Sequence, residues 1–269
     1  MDSRTGKKIR MGCLFNQTSG HTLIVAYSHG VLVGPKPGMR TLAEMQRVSQ
    51  SVAGADGLLV TPGMLPQLED AFLGRDKPSL LVHMDYQSFS RSILSHEAGT
   101  TVELAAVEDV MAAGADAIMT YLYIGYDDPE REKMEIQRNA RLARSCDRWG
   151  LPLMIEPLSA RDNSHPEDRN DVEIVSLYCR IAAEIGADMI KCNYPGSTEA
   201  LAEVVSSCPA PVLVAGGPKD KDPEAAYLRA RNAIDAGAKG LVFGRNIFAA
   251  DDPAAEVERF QKIIHREGS

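Results

Sequence analysis

Ile185–Tyr194 reads IGADMIKCNY, and its grammar decides the fold. A glycine suited to ending a helix is followed within three residues by an apolar run of strand length. The same order recurs at Ala53–Gly63 (AGADGLLVTPG), Ala113–Tyr123 (AGADAIMTYLY) and Ala236–Arg245 (AGAKGLVFGR). Gly54, Gly114, Gly186 and Gly237 are therefore expected just past helix ends, in the left-handed conformation. Between these segments lie runs with a proline lead: KPSLLVHMD, GLPLMIEP and APVLVAGG. Pro78, Pro152 and Pro211 fall at strand starts, where no ladder N–H need be lost. An earlier run, HTLIVAYSHG, supplies a first strand.

Eight strands are predicted, starting near residues 23, 57, 80, 117, 153, 188, 212 and 240. Amphipathic stretches fill most gaps. The clearest is Asp128–Trp149, with Met134, Ile136, Leu142 and Ala143 among charges. The gaps after the second and sixth strands leave room for brief helices only. Strands apolar on both faces imply a parallel sheet covered by helices. Eight such units in ~250 residues predict an α/β chain folded as a (β/α)8 TIM barrel. No Gly/Ser-rich linker interrupts residues 1–269, which read as a single domain. Alternating leads are what duplication of a two-strand unit would leave, and also what shared geometry would produce. The polar stretch Asp162–Asp171 (DNSHPEDRND) reads as a loop after the fifth strand, over the active-site face.

Composition narrows the partners. A net charge of -8 argues against nucleic acid or an anionic membrane surface, which demand cationic protein surface. No apolar stretch reaches the ~20 residues needed to span a bilayer. The start, MDSRTGKKIRMG, lacks the apolar core of a secretory signal. Five cysteines without paired spacing read as reduced thiols, which implies a cytoplasmic protein. Cys192 reads as a small packing residue.

In this fold, chemistry gathers where strands end and loops begin. Lys191 ends the sixth strand, before the loop-forming Asn193-Tyr194-Pro195-Gly196. A lysine there is costly to bury, and either snorkels to solvent or attacks a carbonyl. Glycines at the last two strand ends, Gly216, Gly217 and Gly244, let backbone N–H groups approach a phosphate. Arg245 or Lys219 would add charge. Glu156 ends the fifth strand, and reads as a salt-bridge partner of Lys191 or Arg245, or as a proton shuttle. Tyr121 and Tyr123 on the fourth strand are expected on opposite faces, so that at most one faces the interior. His29, in a Gly/Pro-rich loop with Lys36, is a candidate contact for a second anionic group. Metal readings are weak: HExxH is missing, and His83 and Asp85, two apart at the third strand, lack a third ligand. Neither a G-x-S-x-G elbow nor a GxGxxG fingerprint is present.

From about Leu23 to His265 the chain resembles the DeoC/LacD/DhnA-type class I (Schiff-base) aldolases. It resembles in particular the archaeal-type fructose-bisphosphate aldolases and the related 2-amino-3,7-dideoxy-heptulosonate synthases. The resemblance rests on SHGVLVGPKPGM, LVHMDYQSFS, AGADAIMTYLYIG, DRWGLPLMIEP, ADMIKCNYPGS, and VLVAGGPK with AGAKGLVFGRNIF. It implies that Lys191 forms the imine and that Gly216, Gly217, Gly244 and Arg245 hold a substrate phosphate. It also implies a sugar-phosphate substrate, no cofactor or metal, and a homo-oligomer. Ser28 stands where the family usually has an aspartate that assists C–C cleavage. Leu158 stands where archaeal-type enzymes carry a catalytic tyrosine. A glutamate near Glu156 occurs in the tagatose-bisphosphate aldolase branch, so Glu156, with Tyr121 or Tyr123, is expected to move protons. The expected activity is reversible cleavage of a phosphorylated ketose such as fructose bisphosphate. A transaldolase-like synthase, a phosphorylated-dione thiolase and a non-catalytic phosphometabolite-binding barrel are the alternatives.

Overall fold

A computed structural model describes residues 2–91, 93–94 and 99–265. Its eight parallel strands are β1 (Thr22–Ala26), β2 (Gly57–Val60), β3 (Ser79–His83), β4 (Ala117–Ile124), β5 (Leu153–Ser159), β6 (Met189–Cys192), β7 (Val212–Ala215) and β8 (Gly240–Phe243). Each pairs with its sequence neighbours, and β1 pairs with β8 from Thr22↔Gly240 to Val25↔Phe243. The result is the closed (β/α)8 barrel predicted from the alternating leads. Strand starts agree within a residue or two.

The repeated Gly-Ala-Asp has a physical reason. Gly114, Gly186 and Gly237 adopt φ of 92°, 120° and 92°, turning the chain out of a helix. Gly54 departs from the expectation, because its φ is not positive. The aspartates then tie the barrel floor together. Asp56, Asp116 and Asp188 accept the backbone N–H of Leu23, Leu80 and Leu153 at 2.7, 2.8 and 2.8 Å. Each aspartate precedes an even strand and satisfies the first turns of the odd strand beside it. The period of two strands thus has a geometric cause. Asp188 also pairs with Lys7 at 2.8 Å. Asp188→Ala is expected to lower stability by ~1–3 kcal/mol in urea unfolding, because it strands the Leu153 donor.

Lys7 belongs to a helix absent from the expectations, Ser3–Leu14. It lies against the floor of the barrel. Arg10 donates to the Gly150 carbonyl at 3.0 Å, and Leu14 is fully buried among the interior residues Ile24, Leu59, Leu81 and Met154. A hairpin pairing Asp85–Gln87 with Thr101–Glu103, after β3, was likewise unforeseen. The long helix Pro129–Trp149 follows its N-cap Asp128 as expected, although Met134 is exposed rather than packed. The gap after β2 holds only two short 3-10 turns.

Strand parity divides the core. Ile24, Leu59, Leu81, Met119, Met154, Met189, Leu213 and Val242 fill the barrel. Their neighbours, such as Val25, Leu58, Ile155 and Ile190, pack outward against the helices. Extending this parity toward the loops sends His83, Tyr121, Tyr123, Glu156 and Lys191 inward.

Candidate active site

A cavity of about 540 Å³ opens at the C-terminal ends of the strands. Its wall includes His29, Tyr121, Tyr123, Glu156, Lys191, Gly216, Gly217, Gly244 and Arg245. Nine of the ten site residues expected from sequence therefore converge. Ser28, the tenth, is not a wall residue; it is buried in the barrel interior, where its Oγ lies 2.9 Å from His83 Nδ1.

Lys191 is 8% exposed, and its Nζ donates to Glu156 Oε2 at 2.6 Å. Burial of both partners makes this contact unlike a surface ion pair. The carboxylate is positioned to accept a proton from the amine and to return it nearby. Tyr121 and Tyr123 both line the cavity, with ring centroids 5.8 Å apart. The expectation that they face opposite ways is corrected: residues two apart on a strand share a face. Burial, then the negative charge of Glu156 and Asp85, pushes the Tyr121 phenol well above its ordinary range. Burial, then Tyr121 and Glu156, does the same for Tyr123. Both phenols therefore stay protonated and act as donors.

The β7 and β8 ends provide an electropositive corner. Arg245 starts the short helix Arg245–Phe248, and its buried Nε has no protein partner. Burial pushes its pKa down, against the opposing pull of Tyr121 and Glu156. Gly216 donates its N–H to the Val242 carbonyl at 3.2 Å and receives Arg229 and Asn246 on its own carbonyl. It therefore offers no free donor, and its lack of a side chain fits it against Phe243, which a Cβ would approach to 3.0 Å. At Gly244 a Cβ would stand 2.5 Å from His29 Cε1 and 2.7 Å from the Ala26 carbonyl, so only glycine fits. Lys219 is corrected as a cavity cation, since its amine turns to the Ala249 carbonyl. Lys36 is exposed, outside the wall.

His29 packs against Phe248, with ring centroids 5.3 Å apart. Burial, then the charges of Lys191 and Arg245, pushes its pKa down to about 3. It is neutral at physiological pH and can offer only one N–H. The unfolded chain protonates it near 6.5, so stability should fall as pH drops from 6.5 toward 3. His29→Gln is expected to remove about 2–3 kcal/mol of that loss by pH 4.5, measured by urea unfolding at each pH.

Sequence reasoning missed Arg169 and Arg229 as wall residues. Arg169 sits in the loop after β5 that was expected over this face, where it donates to Asp162 at 2.7 Å. Leu158 also lines the cavity, and Ser159 turns away to Asp168 at 2.7 Å. Among the described residues, no group of three or more His, Cys, Asp or Glu side chains could hold a metal ion. No described helix is long and apolar enough to cross a membrane.

The chain is similar to proteins already known. A family model described as DeoC/LacD family aldolase matches residues 22–250. An uncharacterized aldolase of Saccharolobus solfataricus is 33% identical over 263 residues, covering 97% of this chain and 94% of that protein. The 2-amino-4,5-dihydroxy-6-oxo-7-(phosphonooxy)heptanoate synthase of Streptomyces griseus is 29% identical over 270 residues, covering 98% and 92%. Among solved structures, an archaeal fructose-1,6-bisphosphate aldolase superposes with a TM-score of 0.81 at 24% identity. That match covers 96% of this chain and 99% of the other, whose catalytic lysine is covalently bound to a carbinolamine intermediate.

Proposed function

Because the chain belongs to the DeoC/LacD family of aldolases, we propose that it makes or breaks a carbon–carbon bond of a phosphorylated ketose through a Schiff base on Lys191. The observation that carries this reading is the buried Lys191–Glu156 contact of 2.6 Å inside a cavity that also holds Arg245. An amine at a strand end, a carboxylate on its nitrogen and a cationic corner are the groups an imine mechanism needs.

In this reading Lys191 attacks the ketone of a dihydroxyacetone-phosphate-like moiety. Glu156 takes the amine proton and delivers one to the departing carbinolamine hydroxyl, so that water leaves. The iminium then withdraws electrons from the adjacent carbon. Cleavage of the next C–C bond, with Glu156 taking the hydroxyl proton of the departing carbon, yields an enamine and an aldehyde. Tyr121 and Tyr123, protonated and inside the barrel, donate hydrogen bonds to the substrate oxygens. Gly217, Gly244 and Arg245 receive the phosphate. The iminium stabilises the carbanion without a metal.

The family relatives support a phosphorylated substrate in general terms, since the Streptomyces griseus relative is a synthase of a phosphonooxy compound. Fructose 1,6-bisphosphate is the first candidate. The test is release of glyceraldehyde 3-phosphate from it in a coupled assay containing EDTA. Cleavage that persists with EDTA supports the reading, and cleavage abolished by EDTA and restored by a divalent metal overturns its metal-independent form. An imine without glyceraldehyde 3-phosphate release points to another aldehyde partner.

A further inference from the structure

Ser28, His83 and Asp85 form a continuous buried chain that the reaction above leaves unused. Ser28 Oγ is 2.9 Å from His83 Nδ1, and His83 Nε2 is 3.0 Å from Asp85 Oδ1. His83 and Asp85 are fully buried and Ser28 is 5% exposed. Asp85 Oδ2 is in turn saturated by Arg138 at 2.7 Å, the Thr120 hydroxyl at 2.6 Å and the Tyr121 N–H at 2.9 Å. Burial alone would raise the Asp85 pKa, but the His83 hydrogen bond and the Arg138 charge hold it below the ordinary range. An ionised Asp85 offers only lone pairs, so His83 Nε2 must carry a hydrogen. Nδ1 is left to share a single proton with Ser28 Oγ. A neutral His83 accepts from the Ser28 hydroxyl, and a protonated one donates to it.

Ser28 follows the interior residues Ile24 and Ala26 at a spacing of two, so its hydroxyl points into the barrel beside His83. Ala26 and His29, on either side of it, line the cavity. The His83 ring meets the cavity-lining Tyr121 edge-on, with centroids 5.0 Å apart. Glu156 is committed at 2.6 Å to the nitrogen where the imine forms. A proton on the substrate carbon beside that nitrogen needs a second acceptor.

We propose that Ser28 is that acceptor, and that His83, positioned by Asp85, takes the proton Ser28 gives up. The proposal rests on the Schiff-base reading of Lys191. The C–H bond next to the iminium breaks, and its electron pair becomes the C=C of the enamine. The C=N pair passes to nitrogen. The proton goes to Ser28 Oγ while the Ser28 hydroxyl proton crosses to His83 Nδ1. An imidazolium is left against the Asp85 carboxylate, and no further reactant is consumed. Ser28 is thus a catalytic residue, and His83 and Asp85 are positioning residues.

A test that needs no acceptor aldehyde uses dihydroxyacetone phosphate as the probe. Imine formation is read by borohydride trapping on Lys191. Proton removal is read by solvent deuterium entering the carbon beside the ketone. Wild type is expected to do both. Ser28→Ala should trap as wild type does and exchange about 100-fold more slowly or less. Ser28→Thr, which keeps a hydroxyl, should exchange within about tenfold of wild type, and Asp85→Asn should slow exchange without abolishing trapping. Ser28→Ala removes one oxygen, so its fold is checked by circular dichroism and thermal denaturation. Undiminished exchange in Ser28→Ala overturns the relay and leaves the Schiff base intact. Wild-type trapping without exchange also overturns the relay alone. Absence of any wild-type adduct overturns the Schiff-base reading, and the relay with it.

Discussion

Lys191→Met is expected to reduce turnover of a phosphorylated ketose by about 10³-fold or more, and to abolish imine trapping. Methionine fills the space of the lysine stem and removes only the nucleophile. The substitution has a second effect, because Lys191 and Glu156 are both buried and paired. Losing one partner leaves Glu156 without its cation, which costs ~3–5 kcal/mol where the survivor cannot relax or take up a proton. Adding Glu156→Gln to Lys191→Met should therefore restore part of the stability without restoring turnover. Thermal denaturation of the single and double variants measures the first effect, and steady-state kinetics the second. A Lys191→Met enzyme within tenfold of wild type would place the nucleophile elsewhere.

Glu156→Gln alone is the second large effect. The amide keeps the shape of the carboxylate and can still accept a hydrogen bond from Lys191 Nζ. It cannot take the proton. Turnover is expected to fall by ~10²–10⁴-fold, with trapping slowed but still directed to Lys191. If Glu156 served only to pair with the lysine, the rate would fall by less than tenfold and the pH profile would keep its shape. Rapid-mixing trapping separates the two, because it times imine formation apart from later steps.

The strand order and the position of Lys191 were legible because both rest on local patterns. A glycine after a helix, an apolar run of four residues and a polar end repeat often enough to be counted. The cavity residues followed, since a barrel brings all its strand ends together whatever lies between them. The N-terminal helix was not legible. Its apolar residues Ile9, Met11 and Leu14 are spread among cations, and Leu14 alone of its residues is buried. Its place is set by Lys7 and Arg10 reaching Asp188 and Gly150, far along the chain. The tyrosine pair departs from its expected opposite faces, because a period of two puts Tyr121 and Tyr123 on one face. Ser28 shows the limit most plainly. Nothing in SHG points to His83, which is 55 positions away, and only closure of the barrel brings β1 and β3 close enough for a 2.9 Å contact. Lys219 and Arg229 failed in opposite senses, as loop or helix side chains whose direction depends on which carbonyl needs a donor.

The most direct measurement of the central claim is peptide mass mapping after borohydride reduction in the presence of dihydroxyacetone phosphate. The account predicts one reduced adduct, carried by the peptide containing Lys191 and missing in Lys191→Met. An adduct on another lysine, or an unmodified Lys191 in protein that turns over a phosphorylated ketose, would contradict it.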